Sequence, residues 1–209
     1  MNEREEKIIQ AAEKVIPELF EKSSEETILY CEKNSTEMVE GFLEAFRNVL
    51  EQAVDSLQES SDNKIGYLLF SCLHSSIFLR NYLVRIDLMG DDFYKKEALA
   101  TSYWDAGNIY FLFEQDIESI RQKVGKKVPR IRAYEVDYIR YTYEWYYHRM
   151  AEEFIREMLG GMFGNTSKTN MRKEEEEIKI LFGEYMGTAD FLYHIGKEEL
   201  YEVFQDICR

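Results

Sequence analysis

Apolar positions recur at helical spacing from the start of the chain. Ile8, Ile9, Ala12, Val15, Ile16, Leu19 and Phe20 keep the three-and-four rhythm of an amphipathic helix over about residues 3–20, with Pro17 placed to kink or restart it. Ser23 and Glu26 have the spacing of a capping box and predict a short helix through about Lys33; Asn34 and Glu37 repeat the signal. From there Met38, Val39, Phe42, Leu43, Phe46, Val49, Leu50, Ala53, Val54 and Leu57 form an unbroken apolar stripe. The polar run Gln58–Asn63 then interrupts the pattern. It is the natural boundary between an N-terminal helical subunit, residues 1–60, and a remainder, 64–209.

Beyond that boundary the apolar residues crowd together. The pattern predicts a helix from about Lys64 to Leu88, stopped by Gly90, and a second from Asp91 or Asp92 to about Val124. The turn Gly125–Pro129 leads into a tyrosine-rich helix, about 130–159, ended by Gly160, Gly161 and Gly164. A polar loop, Asn165–Asn170, precedes two final helices, about 171–186 and 188–207, parted near Gly187. Residues 134–147 hold seven aromatic rings without a Gly or Pro, so this helix is expected to be enclosed by others or to wall a pocket. Fourteen of the 30 rings lie between Phe93 and Tyr147, which predicts a central antiparallel helix hairpin. The expected fold is all-α: one domain, 1–209, forming a helical bundle of six to eight helices.

Composition narrows the partners. Hydrophobic residues make up 45% of 209 and prolines number two, which suits long helices around a substantial core. The formal net charge is −14, and residues 1–60 carry 15 acids against 6 bases. Such an acidic protein repels phosphate backbones and anionic lipids, so nucleic acid and membrane are poor partners. Cys31, Cys72 and Cys208 are odd in number and widely spaced, fitting neither a disulfide framework nor a zinc motif. The run Ile65–Leu83 is broken by Ser71, His74, Ser75, Ser76, Arg80 and Asn81, and the N-terminus lacks a signal-peptide apolar region. A cytoplasmic protein with reduced thiols is the expectation.

Candidate chemistry falls into three groups. Tyr138, Tyr141, Trp145 and His148 share a stripe on the tyrosine-rich helix; with Tyr103, Trp104 and Tyr110 opposite, they would line a cavity for a flat or cationic small molecule. His74, His148 and His194 lie on different predicted helices and would, if they converge, make a three-nitrogen metal site with an open position. Neither His148 nor His194 has the acid three residues earlier that carboxylate-bridged bundles use, since Trp145 and Phe191 stand there. Third, Lys126, Lys127, Arg130 and Arg132 sit with Arg121 and Lys123 in a stretch without acids, suited to gripping an anion or an acidic partner. The loop Gly160–Thr169 is no phosphate loop, because Ser167 rather than Gly precedes Lys168. A nucleophile elbow of the Gly-x-Ser-x-Gly type does not occur.

The opening Glu3–Lys22 resembles the first helix of TetR-type repressors, whose all-α length is similar. That resemblance implies a helix-turn-helix with glycine at its turn and a basic recognition helix. The stretch Glu25–Glu40 has no glycine and carries acids where bases would meet phosphate. The leading expectation is therefore a non-enzymatic protein that binds a protein partner or a small ligand and self-associates as a homodimer. A metal-dependent helical-bundle enzyme, and a regulator of TetR-like descent without a DNA-binding motif, are the alternatives. No particular cofactor is implied.

Overall fold

The computed structural model describes residues 3–59, 64–164 and 177–207. Residues 60–63 of the boundary segment, the Asn165–Asn170 loop, positions 171–176 of a predicted helix, and Cys208 lie outside them. The described chain runs α1 (Glu3–Glu13), α2 (Ile16–Lys33), α3 (Ser35–Glu59), β1 (Ile65–Cys72), α4 (His74–Leu79), β2 (Leu83–Gly90), a 3-10 turn (Phe93–Lys95), β3 (Ala100–Asp105), α5 (Phe113–Gly125), α6 (Ala133–Phe163), β4 (Glu177–Glu184), β5 (Ala189–Gly196) and α7 (Lys197–Ile207). The fold is α/β. The five strands form one mixed sheet, and they overturn the all-α helical bundle that the sequence predicts.

The chain makes two compact units, each built from two separated segments: residues 1–35 with 106–151, and 36–105 with 152–209. The first is helical, made of α1, α2, α5 and α6 as far as residue 151. Pro17 sits in the first turn of α2, where its missing N–H costs nothing, so the predicted interruption becomes a fresh helix start. From that start α2 runs unbroken through Ser23, where a separate helix start was expected. The predicted central hairpin of two long aromatic helices is not formed as expected: residues 93–105 hold a 3-10 turn and β3, and only α5 and α6 are helical.

The second unit carries the sheet, in the order β3-β2-β1-β4-β5. Strands β1 and β4 are parallel, and every other pairing is antiparallel. One face of the sheet is apolar and buried: Leu68, Phe70, Val84, Ile86, Leu88, Trp104, Ile178, Ile180 and Phe182. Helices α3 and α6 supply rings to it. Phe154 stacks on Trp104 at 5.0 Å, and Phe42 meets both edge-on. The other face is wetter, with Tyr67, Arg85 and Thr101 half-buried and Tyr103, Lys179 and His194 exposed. An antiparallel or mixed sheet tolerates one solvated face.

The helix predicted over 64–88 fails for a physical reason. β1 is central and buried along nearly its whole length, so Ile-Gly-Tyr-Leu-Leu-Phe-Ser-Cys reads as a continuous apolar run that fits helix or strand equally. The predicted helices over 171–186 and 188–207 give way to a hairpin, and a helix remains only from Lys197. Glycine is required at 183: a Cβ there would stand 2.1 Å from the Thr188 carbonyl oxygen as the hairpin turns back.

Candidate functional site

In the helical unit, a buried carboxylate fixes which way α6 faces. Asp116 on α5 is 3% exposed and accepts hydrogen bonds from Ser23 Oγ at 2.8 Å, Tyr143 OH at 2.6 Å and Tyr147 OH at 2.8 Å. Burial, together with the Asp116 carboxylate, raises both phenols well above the ordinary tyrosine range, so they stay protonated and donate. Arg140, 7% exposed, grips Glu114 with both terminal nitrogens. With Tyr143 and Tyr147 pinned inward, the helical repeat sends Tyr134, Tyr141 and Trp145 outward. These three fall within about 40° of each other around the helix, and they are 53%, 47% and 50% exposed. Three of the seven rings in residues 134–147 thus face solvent, where enclosure by other helices or a place in a pocket wall was expected.

The turn before α6 is held just as firmly. Val128 is buried, Arg130 adopts a left-handed backbone with φ 59°, and Arg4 of α1 donates to the Pro129 and Arg130 carbonyls at 3.2 and 3.0 Å. The same guanidinium binds Glu135, whose carboxylate also accepts the Arg132 backbone N–H at 2.8 Å. That is the acidic half of a capping box, an N3 glutamate reaching back to the first free N–H of the helix. The Arg4 bond, then the Arg132 N–H, hold the Glu135 carboxyl down to about 2.

So braced, the turn displays Lys126, Lys127, Arg130 and Arg132 on the surface. Arg132 continues into the rings: its guanidinium lies 6.0 Å from the Tyr134 ring centre and donates to that hydroxyl at 3.2 Å. Arg149 covers Trp145 in the same way at 5.9 Å. Tyr138, between them, donates to Glu5 at 2.7 Å, and this bond lifts its hydroxyl to about 12. The result is a ridge of exposed rings interleaved with guanidinium groups, beside a turn carrying two exposed lysines.

The residues of the expected aromatic pocket are distributed differently. Tyr110 and His148 are both buried in the helical unit, with rings 6.4 Å apart, and Tyr110 stacks on Tyr147. Tyr141 and Trp145 lie on the ridge. Tyr103 and Trp104 belong to the sheet unit and, as neighbours on β3, point to opposite faces: Tyr103 is 48% exposed and Trp104 1%. Two successive strand residues cannot line one wall.

The three histidines also have separate settings. His74 lies 3.8 Å from Glu184, His194 lies 3.3 Å from Glu177, and His148 is buried in the other unit. Among the described residues no group of three or more His, Cys, Asp or Glu side chains is placed to hold a metal ion. Cys31 donates to the Asn108 carbonyl at 3.6 Å, and burial pushes its thiol up to about 11; Cys72 is buried. The stretch compared with a helix-turn-helix, Glu25–Glu40, is the end of α2, Asn34 and the start of α3. No helix among the described residues is long and apolar enough to cross a membrane.

Tyr134 and Arg149 complete the ridge and were legible as the residues four before Tyr138 and four after Trp145. Arg85, Asp87 and Thr101, a polar group on the outer sheet face, were hidden because their strands read as helices. No family model matches the chain, and no curated protein or solved structure is significantly similar to it.

Proposed function

We propose that the protein is a non-catalytic recognition protein. Its working surface is the ridge formed by Lys126, Lys127, Arg130, Arg132, Tyr134, Tyr141, Trp145 and Arg149, and its partner is an acidic protein segment carrying apolar side chains. The observation that carries this reading is a tryptophan and two tyrosines, each about half exposed, sharing one helix face beside a cationic turn. Exposed Trp, Tyr and Arg together are the composition of interface hot spots. The cations stand out on a chain of net charge −14, so they favour an acidic partner through complementarity and faster encounter. Bracing by Arg4, Glu135 and Asp116 lowers the ordering cost of binding.

Panning a displayed library of random 15-residue peptides tests the reading. Peptides rich in Asp and Glu with Leu, Phe or Trp are expected to enrich on the wild-type protein. Trp145→Ala should weaken them by about 2 kcal/mol, roughly thirtyfold, as hot-spot truncations do. Combined Lys126→Glu, Lys127→Glu and Arg130→Glu should abolish capture while the circular-dichroism spectrum stays unchanged. Enriched peptides that bind the wild type and the reversed ridge equally well would overturn the proposal.

A further inference from the structure

The sheet unit has a second feature, at the carboxyl ends of its parallel pair. Strands β1 and β4 end side by side, Cys72 opposite Glu184. From Cys72 the chain leaves through α4 to β2 on one flank; from Glu184 it leaves through a turn to β5 on the other. The two connections therefore diverge from the β1–β4 boundary. The backbone here is strained. Arg80, Tyr82 and Met186, on the two departing connections, hold left-handed conformations with φ of 56°, 47° and 58°. Such conformations in non-glycine residues gather where function requires them.

The side chains at this end include two unused donors. Ser71, one residue from the end of β1, is fully buried, and its hydroxyl has no hydrogen-bond partner among the described residues. Its register neighbour across the sheet is Arg85. Arg85 binds both Asp87 oxygens through Nε at 2.9 and 2.7 Å and Thr101 through Nη2 at 3.3 Å, leaving Nη1 without a bond among the described residues. The Tyr185 ring stacks on this guanidinium at 4.6 Å, and Tyr185 N–H donates to the Cys72 carbonyl. Of the nearby acids, Asp87 is matched by Arg85, and Glu184 lies 3.8 Å from the His74 ring nitrogen. The connections add an apolar rim of Phe78, Leu79 and Met186, which are 42%, 72% and 69% exposed.

We infer that the carboxyl end of the β1–β4 pair binds a small organic monocarboxylate with an apolar body. Its two oxygens take the Ser71 hydroxyl and Arg85 Nη1, and its hydrocarbon part meets the tyrosine ring and the rim. Two donors on register neighbours suit the two oxygens of a carboxylate. Because Asp87 already offsets the Arg85 charge, a monoanion brings less uncompensated charge into the site than a phosphate dianion. Entry requires the Tyr185 ring to turn off the Arg85 guanidinium. The inference uses no residue of the ridge and stands apart from the recognition function.

Calorimetric titration of the full chain with benzoate and with hexanoate tests it, with benzamide and inorganic phosphate as comparators. Saturable binding of at least one carboxylate is expected at concentrations where benzamide and phosphate do not bind. Ser71→Ala should weaken that carboxylate at least tenfold while the melting temperature of the empty protein holds or rises, because the change removes an orphaned hydroxyl. A purely structural serine predicts unchanged affinity. Absence of saturable binding by either carboxylate, equal binding of phosphate, or an unchanged affinity in Ser71→Ala would each overturn the inference.

Discussion

The two units bury aromatic rings in opposite ways. Around Trp104 the rings are hydrocarbon, Phe42, Phe70 and Phe154, stacked or edge-on against one sheet face. Around Asp116 the rings are phenols, Tyr143 and Tyr147, whose hydroxyls converge on one carboxylate with Ser23. The first core is specified by volume and shape. The second is specified by direction, because a buried carboxylate must be met by donors, and so it fixes the rotation of α6. That rotation is what exposes Tyr134, Tyr141 and Trp145. A polar core in one unit thus builds a surface, whereas the apolar core in the other chiefly supports a sheet.

Substitutions sharpen the contrast, from large effects to small. Trp104→Ala should cost about 3–5 kcal/mol in denaturant unfolding, the range for emptying a large aromatic site. Asp116→Ala should cost about 2–4 kcal/mol, since it strands three buried hydroxyls. Asp116→Asn, keeping one acceptor oxygen, should recover part of that loss. Tyr147→Phe should cost about 1 kcal/mol alone and nearly nothing on top of Asp116→Ala. A double-mutant cycle giving simple additivity would refute the shared network.

A pH effect should be smaller and local. Glu135 has a folded value near 2, below the ordinary 4.5, so its contribution to stability is complete above 4.5 and is lost as the pH falls toward 2. Amide exchange at the start of α6 should therefore accelerate across that window. Arg4→Gln should flatten the dependence, because it removes the largest cause of the shift. At the lower end of the scale, Tyr141→Ala and Trp145→Ala should change stability by no more than about 0.5 kcal/mol, as exposed positions do. A loss of several kcal/mol there would mean that the ridge is core.

Legibility in the sequence followed the kind of burial. Helices with one buried face, α1, α3 and α5, announce themselves through apolar spacing of three and four. The tyrosine-rich helix and its cationic turn were equally legible, but which rings face inward was not, because Asp116 lies far from them in sequence and looks like an ordinary helix acid. The sheet escaped for two reasons. β1 is almost wholly buried and has no period to read, whereas β2 alternates Val84, Ile86 and Leu88 with Arg85 and Asp87 over only five residues. β4 also alternates: Ile178, Ile180 and Phe182 are buried, and Glu177, Lys179 and Leu181 are less so. That period of two, followed by a turn at Gly187, was a hairpin signal open to reading. The polar group Arg85, Asp87 and Thr101 could not be assembled without the strand register.

The pairing of β1 with β4 also sets the order in which the chain can be completed. Strands β1, β2 and β3 are consecutive and can form a meander as soon as residue 105 has been made. The parallel neighbour of β1 arrives more than a hundred residues later, with Tyr67 waiting for Lys179. Until then Leu68, Leu69 and Phe70 lie on an open strand edge, an apolar template for pairing with other chains. Closing so long a loop is slow in chains dominated by distant contacts. A nascent or heated chain is therefore most exposed to aggregation along β1, at the middle of what becomes the finished sheet.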